Sequence, residues 1–295
     1  MNQQDWLAER FEANRTRLRA VAYRMLGSLT EADDAVQESW LRLSRTDAGG
    51  IENLTGWLTT VVARVSLNML RSRKSRREEP LEVRVPDPIV SRADDVDPER
   101  AALLADSVGL ALQLILGTLA PAERLAFVLH DMFAMPFDEI APIVGRSPDA
   151  ARQLASRARR RVQGAAAALD VDLARQREVV DAFLAAVRTG DLDALLAVLD
   201  PDIVLRADRG AVPPGTLGVV RGARSVAEGA LTFSRVAKTA RLALVNGTPG
   251  IVSRLRDGRL SAVMGFTVRN GKIVEINILA DRARLSRLDL TALDN

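Results

Sequence analysis

The sequence predicts a multidomain chain: two all-α helical domains, the second carrying a helix-turn-helix, followed by an α+β domain shaped as a cone of helices over a sheet. Three observations predict it. Apolar residues recur at three- and four-residue steps through most of the first 165 positions. The stretch G-R-S-P at 145–148 interrupts that period between two helical segments. Beyond residue 199 the chain changes to short β-rich runs separated by D-G-R and R-N-G-K turns.

The first helix is expected over 5–26, with Phe11, Leu18, Val21, Ala22, Met25 and Leu26 on one face and Gly27-Ser28 ending it. Thr30 is the expected cap of a second helix over 31–43. Its residues Ala32, Val36, Trp40 and Leu43 can turn inward, leaving Asp33, Asp34, Gln37 and Glu38 as an acidic outer face. Residues 44–55 read as a polar loop around Gly49-Gly50. A third helix follows from about 55 to 75, with an apolar stripe of Trp57, Leu58, Val61, Val62, Val65 and Met69. Thr60, Arg64, Asn68 and Arg71 form a polar stripe along it, and R-S-R-K-S-R-R, with Arg73 and Lys74, closes it. Five cations in seven residues exceed what a helix C-terminus needs to satisfy its dipole.

Residues 78–100 have no helical period and contain four prolines, so they read as a linker with local contacts around V-P-D-P-I-V. A helix over 99–117 and another from Pro121 lead to F-D-E-I-A-P-I-V-G-R-S-P-D-A-A-R-Q-L-A-S-R-A-R-R-R-V. Here Gly145 breaks the first helix, Ser147 can cap the second, and Pro148 sits where a missing N–H is harmless. Pro142 falls near the first turn of a helix starting at Asp138. Ala151, Leu154, Ala155, Ala158 and Val162 share the inner face of the second helix. Asp149, Arg152, Gln153, Ser156, Arg157 and Arg160 are its candidate DNA-facing residues, since Arg and Gln make bidentate contacts to guanine and adenine edges and further arginines hold phosphates. His130 sits beside an apolar face with no Ser, Cys or acid partner evident, which favours a structural role.

The net charge of +3 conceals a segregation. Residues 57–84 carry 7 basic and 3 acidic side chains, and residues 146–165 carry 6 and 1. Between them residues 85–145 carry 3 basic and 10 acidic. Two separate basic blocks suggest two contacts with a polyanion. With no Cys and one His, disulfides and thiolate or zinc sites are not expected, and no metal or cofactor is. No apolar run is long enough to span a membrane and the N-terminus shows no signal region, so a soluble cytoplasmic protein is expected.

Taken together, Y-R-M-L-G (23–27), E-A-D-D-A-V-Q-E-S-W-L-R (31–42), G-W-L-T-T-V-V-A-R (56–64), L-A-P-A-E-R-L-A-F-V-L (119–129), F-D-E-I-A-x-x-V-G-x-S (137–147) and A-R-Q-L-A-S-R-A-R (151–159) resemble an extracytoplasmic-function (ECF) sigma factor. The resemblance implies a region 2 domain over 5–77, a linker over 78–105 and a region 4 domain over 106–168. It implies that Asp33, Asp34, Gln37 and Glu38 meet the β′ clamp helices of core RNA polymerase and that region 4 meets the β flap. It implies that Trp57, Thr60, Arg64, Asn68, Arg71, Arg73 and Lys74 serve the opening −10 element, with an extruded base captured before Trp57. The helix-turn-helix would read the −35 duplex.

The chain continues past 168. A helix over 174–188 buries Val179, Val180, Phe183, Leu184 and Val187. A capped short helix within 189–202 leads into I-V-L-R-A-D, a helix is expected over 222–230, and strands over 240–245, 251–256, 260–268 and 272–279 make a curved antiparallel sheet. This order resembles the SnoaL-like domain, placed over 174–290, which is fused to ECF factors of the SigJ type. V-P-D-P (85–88), L-V-N-G (244–247) and T-V-R-N-G-K-I (267–273) match that class. Asp208-Arg209-Gly210 replaces its usual Asp-Gly-Gly-Gly-Lys turn, and Asp281-Arg282-Ala283-Arg284-Leu285 its Asn-Pro-Asp-Lys-Leu-like motif. The domain has no His, and Asp202, Asp208 and Asp257 read as strand-end or turn residues, so no acid–base pair is visible and no enzyme is expected. The expected function is a sigma factor modulated by an intramolecular contact of its own C-terminal domain. A one-component ligand-sensing DNA-binding regulator is the alternative, although it needs neither the acidic face nor the Arg64–Arg71 stripe. An enzyme with a DNA-binding tether is the third.

Overall fold

The computed structural model describes residues 3–46, 51–76, 85–91, 109–166, 172–210, 218–255 and 257–288. In chain order these form α1 (Gln3–Leu26), α2 (Leu29–Leu43), α3 (Leu54–Arg76), β1 (Val90–Ser91), α4 (Gly109–Thr118), α5 (Pro121–Phe127) with a π-helical turn over Val128–Met132, α6 (Phe137–Val144) and α7 (Pro148–Ala166). Then come α8 (Leu173–Thr189), α9 (Leu192–Val198), β2 (Leu199–Asp208), β3 (Val219–Arg221), α10 (Ala223–Leu231), α11 (Ser234–Ala237), β4 (Arg241–Val245), β5 (Thr248–Arg254), β6 (Leu260–Arg269), β7 (Lys272–Leu279) and α12 (Arg282–Leu285). The chain divides into two compact units. Of the described residues, the first holds those up to 76 and 115–164; the second holds 85–91, 109–114, 165–166 and the described residues from 172 to 288.

In the first unit α1, α2 and α3 pack on one another around Leu18, Val21, Tyr23, Met25, Leu58 and Val62, and α3 also packs against α5 and α6. The α2 boundary differs from expectation. Ser28, not Thr30, is the cap, its Oγ accepting the Glu31 N–H at 3.5 Å. S-L-T-E is a capping-box pattern, so the earlier start was readable. Helix α6 starts at Phe137, which places Pro142 in its second turn rather than its first. The missing N–H is tolerated because Pro142 lies on the solvent side. The helix expected from 99 is seen from Gly109, its earlier part lying outside the described residues.

The second unit is a seven-stranded sheet of order β1-β4-β5-β6-β7-β2-β3. One face packs on α8 to α11 through Val180, Phe183, Leu195, Ile203, Val226, Phe266, Ile273 and Ile276. The sheet is mixed rather than antiparallel throughout, because β2 runs parallel to β7. The chain leaves β2 through β3 and two helices, builds β4 to β7, and returns beside β2. A register shift between Leu199 and Val204 accommodates Pro201, which has no N–H for the ladder. Strand β5 begins at Thr248, earlier than expected, because Asn246 and Gly247 adopt φ of 53° and 81° and close a two-residue hairpin.

Packing is tight where β5 crosses its neighbours. A Cβ on Gly250 would sit 2.5 Å from Val245 Cγ2 and 2.6 Å from the Met264 carbonyl oxygen. Gly250→Ala should therefore destabilise the second unit by about 1–3 kcal/mol, read as a lower urea midpoint at unchanged slope.

Candidate nucleic-acid interface

Helix α3 presents one polar stripe. Asn53 caps it, its Oδ1 accepting the Gly56 N–H and its carbonyl the Trp57 N–H, both at 3.0 Å. Leu58, Thr59, Val62, Ala63, Ser66 and Leu67 are buried between the two helical layers. Steps of four, four and three residues escape along one side: Thr60 is half-buried, and Arg64, Asn68 and Arg71 are exposed, with Ser72 exposed beside them. Trp57 is half-buried at the start of this stripe. Arg73 leaves it. Its guanidinium pairs with Glu31 and donates to the Leu26 carbonyl at 3.3 Å. Lys74 continues α3, but its side chain and the following cations lie outside the described residues.

On α2, Asp33, Asp34 and Gln37 are exposed and Glu38 is half-buried. Arg19 Nε donates to Asp33 at 2.7 Å and Arg42 Nε to Glu38 at 2.9 Å. Such exposed pairs contribute little and exchange readily for a partner's cations. Beside them opens a cleft of about 360 Å³ lined by Phe11, Arg15, Asp33, Val36, Gln37 and Trp40. Trp40 packs on Phe11 with ring centroids 5.1 Å apart.

The helix-turn-helix is built as its sequence predicts. Gly145 takes φ 71°, ψ 43° at the end of α6, and Ser147 Oγ accepts the Ala150 N–H at 3.3 Å. Ala151, Ala155, Ala158 and Val162 are buried, whereas Leu154 is half-buried. Arg152, Gln153 and Arg160 are exposed and Ser156 half-buried. Asp149 and Arg152 pair at 2.7 Å, and the Arg152 guanidinium lies 5.4 Å from the Phe137 ring centroid. Arg157 turns back to Glu123 at 3.2 Å. His130 is a packing residue: Nδ1 lies 3.1 Å from the Met135 carbonyl and the ring stacks on Phe137 at 3.9 Å.

Arg124 carries no local sign of its role in the sequence. It is buried, and its Nε donates to the Arg24 carbonyl at 2.9 Å, joining α5 to the end of α1. Burial first, then neighbouring Arg73, bring its pKa down from the ordinary arginine value to about 9. Between those values the unfolded chain binds one more proton, so stability rises with pH across that window, while below 9 the full burial penalty applies. Comparing urea midpoints at pH 8 and pH 10, wild type should gain about 1 kcal/mol relative to Arg124→Met.

The second unit holds a polar cluster that the sequence only hinted at. Residues 85–91 end in the edge strand β1, beside β4. Arg284 is its centre: Nε donates to Asp87 Oδ1 at 2.7 Å, Nη1 to Asp208 Oδ2 at 2.5 Å and Nη2 to the Val85 carbonyl at 2.6 Å. Asp208 also accepts the Val85 N–H at 3.2 Å. Asn246 exchanges two bonds with Ile89, its Oδ1 accepting the Ile89 N–H at 2.8 Å and its N–H reaching the Ile89 carbonyl at 2.7 Å. Strand β1 then pairs with β4, and Val90 joins Val245, Val252, Val263, Leu279 and Leu285 in a second apolar cluster. The two stretches that depart from the class motifs, 208–210 and 281–285, are thus where this contact is made, through Asp208 and Arg284. Asp281 supports it by capping α12, accepting the Ala283 N–H at 2.8 Å.

Three family descriptions match the chain: Sigma-70 region 2 over residues 10–76, Sigma-70 region 4 over 109–162 and the SnoaL-like domain over 180–276. The ECF RNA polymerase sigma factor SigJ of Mycobacterium tuberculosis H37Rv is 40% identical over 279 residues, covering 89% of this chain and 88% of SigJ. The probable ECF RNA polymerase sigma factor SigI of M. tuberculosis CDC 1551 is 35% identical over 289 residues, covering 98% of each. The crystal structure of M. tuberculosis SigJ superposes with a TM-score of 0.76 at 34% identity, over 96% of this chain and all of the other. The chain therefore belongs to the ECF RNA polymerase sigma factors, in the form that joins regions 2 and 4 to a SnoaL-like domain.

Proposed function

We propose that this chain, as a sigma factor, binds core RNA polymerase and promoter DNA and works as a transcription factor rather than an enzyme. We propose how its residues divide the work. The acidic face of Asp33, Asp34, Gln37 and Glu38, with its adjoining cleft, receives the β′ clamp helices. The α3 stripe of Thr60, Arg64, Asn68 and Arg71, with Trp57 at its head, holds the −10 strand as it opens. On α7, Arg152, Gln153 and Ser156 read −35 base edges, while Asp149 orients Arg152 and Arg157 and Arg160 take phosphates. Region 4 also touches the β flap, and the SnoaL-like domain modulates activity through its contact with residues 85–91. Arg73 positions α3 through Glu31, and Lys74 adds charge beyond the stripe. The domain limits that go with this reading are 5–77, 106–168 and 174–290.

The observation that carries the reading is the α3 stripe: along the packed middle of the helix, from Leu58 to Asn68, the exposed side chains are Arg64 and Asn68, with Arg71 three residues on. A solvated helix in a bundle needs no such burial around a single polar row. Replacing Asp33 and Asp34 by Lys in the full chain should abolish capture of core polymerase without unfolding the protein; unchanged capture would remove the clamp assignment. Arg64→Ala and Arg71→Ala should each flatten the salt dependence of open-promoter binding. The expected change in slope is about 0.7 per residue for single-stranded contact and about 0.9 for duplex, so the value also tells which form α3 holds.

A further inference from the structure

The −10 and −35 elements lie about 25 base pairs apart, roughly 85 Å of duplex at 3.4 Å per step. In this structure regions 2 and 4 share one compact unit, joined by Arg124, so they must separate to engage both elements. How far they can separate depends on the chain between them. From the end of α3 at Arg76 to the start of α4 at Gly109 there are 32 residues, 77–108. Fully extended they reach about 110 Å. Residues 85–91, however, are tied to the sheet by Arg284, Asp208, Asn246 and the β1–β4 ladder. The beginning of α4 rests on the same sheet: a Cβ on Gly265 would meet Leu110 Cδ2 at 2.7 Å, so the glycine hollow is the seat of that leucine. Region 2 is then tethered by eight residues, 77–84, a reach of about 30 Å.

Resting on the sigma-factor reading, we propose that the docked segment 85–91 makes the SnoaL-like domain a ruler for promoter spacing. While it is docked, the greatest separation of the two DNA-reading surfaces is capped, and each added base pair of spacer asks for about 3.4 Å more. Asp87, Arg284, Asp208 and Asn246 are on this account determinants of spacer specificity, although none touches DNA. The polar bonds suit a segment that docks and leaves: they are satisfied when docked and can be met by water when free.

The chain has no cysteine, which permits a clean test. Ser91 and Leu244 are directly paired across β1 and β4, within disulfide distance for an antiparallel pair. Full-length Ser91→Cys/Leu244→Cys protein, oxidised or reduced, would be assembled with core polymerase and used to transcribe a library of randomised −35 and −10 elements with graded spacers. The oxidised holoenzyme should lose the longest spacers at least tenfold relative to the reduced one, with short spacers retained. Asn246→Gly, which removes the acceptor of the Ile89 N–H and suits the positive φ, should shift acceptance toward longer spacers. Coincident spacer profiles in both redox states, or equal loss at every spacer, would overturn the ruler. Core polymerase binding by the reduced protein is measured alongside; its absence would instead overturn the sigma-factor reading beneath it.

Discussion

Arg284→Ala is expected to destabilise the second unit by about 3–5 kcal/mol and to release residues 85–91 from the sheet. The magnitude follows from what the arginine holds. Its side chain is 16% exposed, and its partners Asp87 and Asp208 are 7% and 12% exposed. Removing the cation leaves two nearly buried carboxylates facing one another without compensation, which is worse than losing the attraction alone. The Val85 carbonyl loses its donor as well. Arg284→Lys should recover only part of the loss, because one ammonium cannot reproduce a fork aimed at three acceptors in different directions. Urea unfolding of the full chain reads the stability, and limited proteolysis between α3 and α4 reads the release. If Arg284→Ala unfolds at the wild-type midpoint and resists protease as wild type does, the cluster is not what holds the segment.

Gln153→Ala and Arg152→Ala are expected to lower discrimination at one −35 base pair each, by about 1–3 kcal/mol where the contact is bidentate. Gln153 stands exposed in the second turn of α7. Arg152 begins from a different state, since its guanidinium is paired with Asp149 and lies over Phe137. That pair is 62% and 83% exposed at the two side chains, so swinging Arg152 toward a guanine edge gives up little. Asp149→Ala should therefore change discrimination less than Arg152→Ala does. Transcription from single-base variants of a −35 element, with full-length holoenzyme, separates these roles. A uniform loss on every base variant would demote either residue to a phosphate contact.

How much of this was legible before folding differs from element to element. The helix-turn-helix could be read almost residue by residue, because Gly145, Ser147 and Pro148 act through their own backbone preferences and the Ala151–Ala155–Ala158 face through helical period. The α3 stripe was equally legible. Arg73 was not separable from it, since only the approach of α2 shows that Glu31 takes that cation. Arg124 gave no local sign, being an ordinary helix arginine until the end of α1 closes over it.

The sequence by itself determined the order of helices and strands, the two basic blocks and the family motifs, because caps, turns and hydrophobic period act over a few residues. It also marked V-P-D-P as a match to the class and D-R-A-R-L as a departure from it. It takes the folded chain to show that these two stretches meet, that β2 lies parallel to β7, and that the local contacts expected of the linker around V-P-D-P-I-V end in an edge strand of the last domain. Each of those depends on groups far apart in the chain, as with Leu205 and Ile276 or with Asp87 and Arg284, whose charges carry no information about one another until the sheet brings them within a hydrogen bond.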